Sequence, residues 1–190
     1  MSSNPRTYLT PEEYLAIERK GDYKSEYIDG EMVAMTGASR NHNLIMINAA
    51  REITLQLKGK PCETYASDMR VRIPATNLYA YPDVTVVCGE PLFEDDYVDT
   101  LINPTLIIEV LSDSTESYDR GKKFRYYRTM DSLTEYLLIA QDEYRVEQYI
   151  KQADGRWMLS EVRSLDDQVE LNSIGCMLSL KELYDKVKLP

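Results

Sequence analysis

The chain has a single histidine, His42, among its 190 residues. That rules out zinc sites built from several imidazoles and argues against a Ser-His-Asp triad. The cysteines Cys62, Cys88 and Cys176 are odd in number and widely spaced, with no CxxC pair. Neither a zinc knuckle nor a disulfide framework is expected, and a reducing cytoplasm is the expected location. No run of about 18 apolar residues occurs, so no membrane-spanning helix and no membrane partner is expected. The opening Met1-Ser2-Ser3-Asn4-Pro5-Arg6 lacks the apolar centre of a signal peptide. Positive charge is scarce too: 22 Lys and Arg against 32 Asp and Glu leave a net charge of −10. Phosphate affinity comes from neutralising cations, so this balance argues against tight nonspecific nucleic-acid binding by the whole surface, while leaving room for a local basic patch. Phe and Trp are rare, at 2 and 1, whereas Tyr reaches 15. Tyrosine suits half-buried positions and interfaces, and most of these are expected at the rim of the core.

What is present otherwise fits a globular protein, with 43% apolar and 28% charged residues. The length suits one domain over residues 1–190 with a sizeable core. Thr10-Pro11-Glu12-Glu13 is a capping box with proline at the first helical position, which predicts a short helix to about residue 20. Asp29-Gly30 between Glu26-Tyr27-Ile28 and Glu31-Met32-Val33 predicts a hairpin. Apolar residues at helical spacing predict a helix over 40–58. Strands are expected over 64–73 and 81–88, and an acidic, solvated loop over 89–99. A helix over 116–128 and a strand over 134–140 follow. Two further strands form a hairpin about Asp154-Gly155, and a short helix covers 180–187. The central order helix, strand, strand, strand, helix, strand predicts α/β packing around a mixed sheet.

Two carboxylates interrupt this apolar pattern. Leu106-Ile107-Ile108-Glu109-Val110-Leu111 reads as a buried strand with Glu109 inside it, and Pro82-Asp83 opens directly into Val84-Thr85-Val86-Val87. An unpaired carboxylate near a sheet core costs several kcal/mol unless a cation, a hydrogen-bond network or a shifted pKa compensates. A hard divalent cation is the simplest compensation, since it prefers carboxylate oxygens. The alternative is that Glu109 faces solvent at a strand end. Downstream, Arg120, Lys122, Lys123, Arg125 and Arg128 stand against one acid, Asp119, with tyrosines between them. Such a helix can contact a phosphate backbone through Arg120, Lys122 and Arg125. The alternative is a solvated amphipathic helix with Asp119 and Lys123 as an i, i+4 pair. Two acids can hold a divalent metal that polarises a phosphoryl oxygen, and a nearby lysine can orient the attacking water or stabilise developing charge. This is the minimum equipment for metal-assisted phosphodiester hydrolysis.

Pro82-Asp83 followed by Glu109-Val110-Leu111, on that order of elements, resembles the PD-(D/E)XK nuclease superfamily. The closer likeness is to its bacterial Uma-type restriction endonuclease family. It is carried by Glu26-Tyr27-Ile28-Asp29-Gly30-Glu31, His42, Ser67-Asp68-Met69-Arg70-Val71 and Tyr81-Pro82-Asp83-Val84, then by residues 104–127, with Glu109-Val110-Leu111-Ser112 and Tyr118-Asp119-Arg120-Gly121-Lys122-Lys123-Phe124, by Val146-Glu147, and by Ser173-Ile174-Gly175-Cys176. The resemblance implies a restriction-endonuclease-like core of order α-β-β-β-α-β, a mixed sheet flanked by helices, here with N-terminal and C-terminal hairpin additions. It also implies Mg²⁺ or Mn²⁺ bound by Asp83, Glu109 and the backbone carbonyl of Val110. The superfamily lysine normally lies two residues after the second acid. Here that position is Leu111, and the likeness points instead to Lys123 on the following helix, with Lys122 as the fallback.

Four more residues enter as lesser candidates. Glu26 is either a further acid at the metal or a solvent-facing strand residue. His42 begins a helix, where it contacts a phosphate or serves the structure. Asp119 positions Lys123 or pairs with it on the surface. Asp68 begins a strand or only forms a turn. The expected activity is endonucleolytic hydrolysis of nucleic acid, DNA foremost, and a homodimer is expected because cutting two strands takes two sites. Two rivals remain open: a catalytically inactive nuclease-fold module that binds nucleic acid or a protein partner, and a metal-dependent enzyme acting on a small phosphorylated substrate.

Overall fold

The structure, a computed structural model, describes residues 8–189; the N-terminal segment read above for targeting lies outside them. Helix α1 (Pro11–Glu18) begins at the expected box, in which Thr10 accepts from the Glu13 amide and Glu13 accepts from the Thr10 amide. Strands β1 (Ser25–Ile28) and β2 (Glu31–Ala34) form the expected hairpin. Its turn places Asp29 and Gly30 at φ 51° and 94°, the left-handed pair that a two-residue hairpin needs. Helix α2 (Arg40–Leu57) follows, capped by Ser39, whose side chain accepts from the His42 amide at 3.0 Å.

The expected strand over 64–73 is two strands. β3 (Cys62–Ala66) and β4 (Arg70–Ile73) are separated by a turn and join different sheets. The strand expected over 81–88 starts only at Val84, as β6 (Val84–Cys88), and a separate unexpected strand β5 (Leu78–Ala80) precedes it, the two broken at Tyr81-Pro82-Asp83. Proline supplies no amide to a ladder, and the chain changes sheets at that point. The acidic loop is tied down by cations. Arg19 reaches Asp95 at 2.9 Å and Asp99 at 2.8 Å, Arg70 reaches Asp99 at 2.9 Å, and Arg72 pairs with Glu94. The loop ends in β7 (Thr100–Leu101), followed by β8 (Leu106–Leu111).

The next helical segment has three parts. These are α3 (Glu116–Tyr118), a wide π-helical turn over Asp119–Lys123, and α4 (Phe124–Tyr127). Strands β9 (Glu135–Ala140), β10 (Val146–Lys151) and β11 (Trp157–Val162) come next, then a small hairpin of β12 (Gln168–Leu171) and β13 (Cys176–Ser179), which the sequence reading missed. Helix α5 (Leu180–Leu183) is shorter than expected.

Among the described residues the strands form three sheets: β2-β1-β5-β4-β7, β11-β10-β9-β8-β6-β3, and β12-β13. In the six-stranded sheet β8 runs parallel to β9 and antiparallel to β6. Alternation along β8 divides the core. Leu106, Ile108 and Val110 join Ile45, Ala49 and Ile53 of α2 on one face. Ile107 and Leu111 join Phe124, Tyr127, Val71 and Leu78 on the other. Glu109 falls on the second face by the two-residue period. The tyrosines depart from the expected rim: Tyr14, Tyr27, Tyr79, Tyr81, Tyr127, Tyr136 and Tyr184 are buried. Tyr14, Tyr27 and Tyr79 form a ring cluster between α1 and the five-stranded sheet.

The cysteine expectation is overturned. Cys62 and Cys88 face each other across β3 and β6 with Cα atoms 4.0 Å apart and form a disulfide, while Cys176 is free and buried. Spacing along the chain could not reveal this, because the pairing is set by strand register. No described helix is long and apolar enough to cross a membrane.

Candidate active site

Two sheet strands deliver the acids. Asp83 sits immediately before β6, and its Oδ2 accepts from the Val110 amide at 2.7 Å. This bond ties the first acid to the strand that carries the second. Glu109 lies in a six-residue strand with every residue buried, and is itself 4% exposed. The solvent-facing alternative for Glu109 is therefore set aside by the geometry.

The helical segment after β8 covers the face on which Glu109 points. The backbone widens over Asp119–Lys123, so that the Asp119 carbonyl accepts from the Phe124 amide, and the Tyr136 hydroxyl donates to the same carbonyl at 3.2 Å. Wide turns of this kind concentrate at functional sites. Asp119 and Lys123 are both buried. The Lys123 Nζ stands 2.9 Å from Glu109, 3.0 Å from Glu26 and 3.5 Å from Asp119. Asp119 and Lys123 are an i, i+4 pair as read from the sequence, but inside the protein. Glu26, on β1, is 9% exposed and faces Lys123. The Tyr127 hydroxyl donates to Glu109 Oε1 at 2.9 Å. Tyr118 lies over the lysine with its ring 6.0 Å from Nζ, and its buried hydroxyl has no protein partner.

His42, in the first turn of α2, brings Nε2 to 3.2 Å from Asp83 Oδ2. Its Nδ1 is buried without a protein partner. Asp83, Val110 and His42 thus meet on one side of Glu109, and Lys123, Glu26, Asp119 and Tyr127 gather round its other contacts.

Burial sets the electrostatics. It pushes Glu109 up to about 8; Lys123 opposes the rise, and Asp119 and Asp83 add to it. Burial raises Asp119 as well, again against Lys123. For Lys123, burial alone would lower the pKa, but Glu109, Tyr127, Glu26 and Asp119 carry it well above the ordinary lysine value. For His42 burial likewise works downward and is outweighed by the hydrogen bond and charge of Asp83 and by the Val110 carbonyl. One ammonium faces three carboxylates here, Glu26, Glu109 and Asp119, and burial favours the protonated form of Glu109 and of Asp119.

The donor set suits a hard cation. Among the described residues no three His, Cys, Asp or Glu side chains converge as a ready cage. Asp83, Glu109 and the Val110 carbonyl, the donors named in the sequence reading, are oxygen groups of the kind that would hold Mg²⁺, which commonly takes few protein ligands and keeps several waters.

The remaining candidates stand apart. Lys122 pairs with Asp29 at 3.2 Å, on the hairpin turn. Arg120 is held by Glu147 at 2.5 Å and by Glu116, so its guanidinium is already occupied by protein carboxylates. Arg125 is exposed. Asp68 is on the surface, 2.7 Å from Lys24. The sequence reading missed Tyr118 and Tyr127. Tyr127 follows Asp119 and Lys123 at four-residue steps, a helical spacing that places all three on one face, so the signal was present.

The chain matches the Uma2 family, described as "Putative restriction endonuclease", over residues 11–181. It is 43% identical over 164 residues to the uncharacterized protein sll1609 of Synechocystis sp. (strain ATCC 27184 / PCC 6803 / Kazusa), covering 86% of this chain and 93% of that relative. It is 38% identical over 182 residues to the uncharacterized protein slr1290 of the same organism, covering 96% and 94%. The crystal structure of a putative nuclease belonging to DUF820 from Anabaena variabilis superposes with a TM-score of 0.78 at 20% identity, over 95% of this chain and 99% of that one. That likeness establishes the fold. By the extent of the match, this chain belongs to the Uma2 family, whose description is "Putative restriction endonuclease".

Proposed function

We propose that the chain is a Mg²⁺- or Mn²⁺-dependent endonuclease that hydrolyses phosphodiester bonds in DNA. The observation that carries the reading is the Lys123 Nζ, 2.9 Å from Glu109, supplied by the following helix in place of the strand position occupied by Leu111. Asp83, Glu109 and the Val110 carbonyl hold the cation, which polarises a phosphoryl oxygen and lowers the pKa of a bound water. Lys123 orients the attacking water and stabilises charge developing on the phosphate oxygens. Glu26 and Asp119 fix the ammonium between them, and the Tyr127 hydroxyl fixes the rotamer of Glu109. Arg125 and Lys122 contact the backbone of the substrate. Two copies act together on duplex DNA, one per strand.

The test is nicking of supercoiled plasmid with Mg²⁺ or Mn²⁺ by the wild type, Asp83→Ala and Lys123→Ala. Metal-dependent nicking that disappears in both variants supports the reading. Loss in Asp83→Ala alone keeps the metal site and removes the role of Lys123. The second reading is a nuclease-fold module without catalysis, favoured by Leu111 standing where the superfamily lysine lies. It is preferred if the wild type neither nicks DNA nor takes up metal in calorimetry.

A further inference from the structure

We infer that Glu18 is a positioning residue for the candidate active site: one of its carboxylate oxygens ties the backbone that delivers Glu26 to the segment that delivers Asp83. The inference rests on the roles proposed above for those two acids and adds the residue that sets their places.

The need for such a tie comes from the sheet. β1 lies between β2 and β5, yet it shares one register pair with β5, Tyr27 opposite Tyr79. Two residues further along that register Ser25 would face Tyr81, but β5 has ended at Ala80 and Pro82 follows. Ser25, the residue before Glu26, is thus left without a strand partner on that side. Helix α1 supplies the replacement. Glu18 Oε1 accepts from the Ser25 amide at 2.9 Å, and the Tyr14 hydroxyl donates to the Ser25 carbonyl at 2.6 Å. A four-residue spacing puts Tyr14 and Glu18 on one face of the helix, so one element holds both backbone groups of Ser25.

The same Oε1 accepts from the Tyr81 hydroxyl at 2.9 Å. Only Pro82 separates Tyr81 from Asp83, and its ring fixes φ, which leaves little freedom between the two. Arg70 braces the contact from behind: it donates to the Tyr81 hydroxyl at 2.8 Å and to Thr100 Oγ1 at 3.0 Å. Glu18 is buried, and it is retained although its second oxygen, Oε2, has no protein partner. The competing account is that Glu18 only fastens α1 to the sheet.

Two signals in the metal-free protein report the acids without any reaction. The buried Lys123 ammonium, 3.0 Å from Glu26, reports that acid in a ¹H–¹⁵N spectrum, with Lys123→Met as its assignment. The Val110 amide, 2.7 Å from Asp83, reports the other. Glu18→Ala is expected to shift both signals, and Glu18→Gln, which keeps an acceptor oxygen, to return them towards the wild type. Tyr81→Phe, which removes only the hydroxyl, should move the Val110 amide. In plasmid nicking, Glu18→Ala should lower kcat per folded molecule by up to about 100-fold at unchanged KM. A Glu18→Ala protein that melts earlier but keeps both signals and kcat overturns the inference in favour of the competing account. If Glu18→Ala does not fold, Tyr81→Phe decides, and an unmoved Val110 amide overturns the inference. If the wild type does not nick DNA, the nuclease reading falls by itself, and the two signals still decide whether Glu18 places the acids.

Discussion

Replacing Lys123 by methionine removes the one ammonium that faces Glu26, Glu109 and Asp119 while keeping most of the side-chain volume. Its Nζ lies 3.0 Å from Glu26 and 2.9 Å from Glu109, with 7% of the side chain exposed, so solvent cannot take over its role. Breaking a buried charged contact by removing one partner costs about 3–5 kcal/mol. For a chain of this size each kcal/mol lowers Tm by roughly 2–4 °C, so a fall of about 6–20 °C is expected. Glu109 moderates the loss, because burial already favours its protonated form and it need not be left as a bare anion. The pH dependence has a definite sign. The folded-state pKa of Lys123 lies well above its ordinary value, so its contribution is fully present below about 10 and disappears as pH rises through the folded value. The assay is urea unfolding with EDTA for the wild type, Lys123→Met, Glu26→Gln and the double variant. Glu26→Gln should recover part of the loss in the Lys123→Met background, with a coupling energy of about 1–3 kcal/mol. If Lys123→Met lies within about 1 kcal/mol of the wild type at pH 7, or the cycle shows no coupling, the buried cluster as described is wrong.

Other perturbations separate structural charges from functional ones. Arg120→Ala is expected to lower stability by about 1–3 kcal/mol, through loss of its bonds to Glu147 and Glu116; weaker DNA binding with unchanged stability would show that its guanidinium is free instead. Asp99 is held well below the ordinary carboxylate range, first by Arg19 and also by Thr100 and Arg70. Its contribution is therefore present above about pH 4 and lost as pH falls through the folded value, and since its side chain is 35% exposed it is discounted to about 1 kcal/mol or less. Asp99→Asn should unfold earlier than the wild type in urea at pH 7 and converge with it near pH 2, whereas a gap that widens in acid contradicts the assignment. Cys62→Ser opens a link between residues 26 apart and should cost about 3 kcal/mol. Cleavage per folded molecule should be unchanged, which a plasmid assay below the melting range checks.

The sequence made the acids visible because an ionisable residue in an apolar strand contradicts its surroundings. Glu109 stood out for that reason, and its burial in β8 follows the same logic. Local signals such as the Thr10 box and the Asp29-Gly30 turn translated directly, since each is complete within a few residues. Non-local pairing did not. Nothing near residue 67 announces that β3 joins one sheet and β4 another, and nothing in a spacing of 26 residues brings Cys62 opposite Cys88. The tyrosine count suggested the rim of the core, yet hydroxyls that find internal partners make full burial inexpensive. Tyr14 donates to the Ser25 carbonyl at 2.6 Å, and Tyr184 to the Ala140 carbonyl at 2.9 Å. With so many rings inside, the tyrosines lend no particular support to a dimer interface.

The position of the lysine is a packing matter before it is a catalytic one. Leu111 shares a face of β8 with Glu109 and is packed among Phe124, Tyr127 and Leu138 in the apolar cluster beneath the helical segment. An ammonium there would have to be buried among rings and aliphatic side chains. The same helical segment that fills this space also turns Lys123 onto Glu109, through a wide turn whose Asp119 carbonyl is satisfied by Tyr136. An ionised Glu109 requires a cation within hydrogen-bond reach and is indifferent to which element brings it. A motif read as linear spacing therefore misses the lysine, while the requirement that each buried acid have a compensating partner leads to Lys123. Applied to Asp83, that requirement finds the Val110 amide and His42. The histidine thus stands to the first acid as the lysine stands to the second.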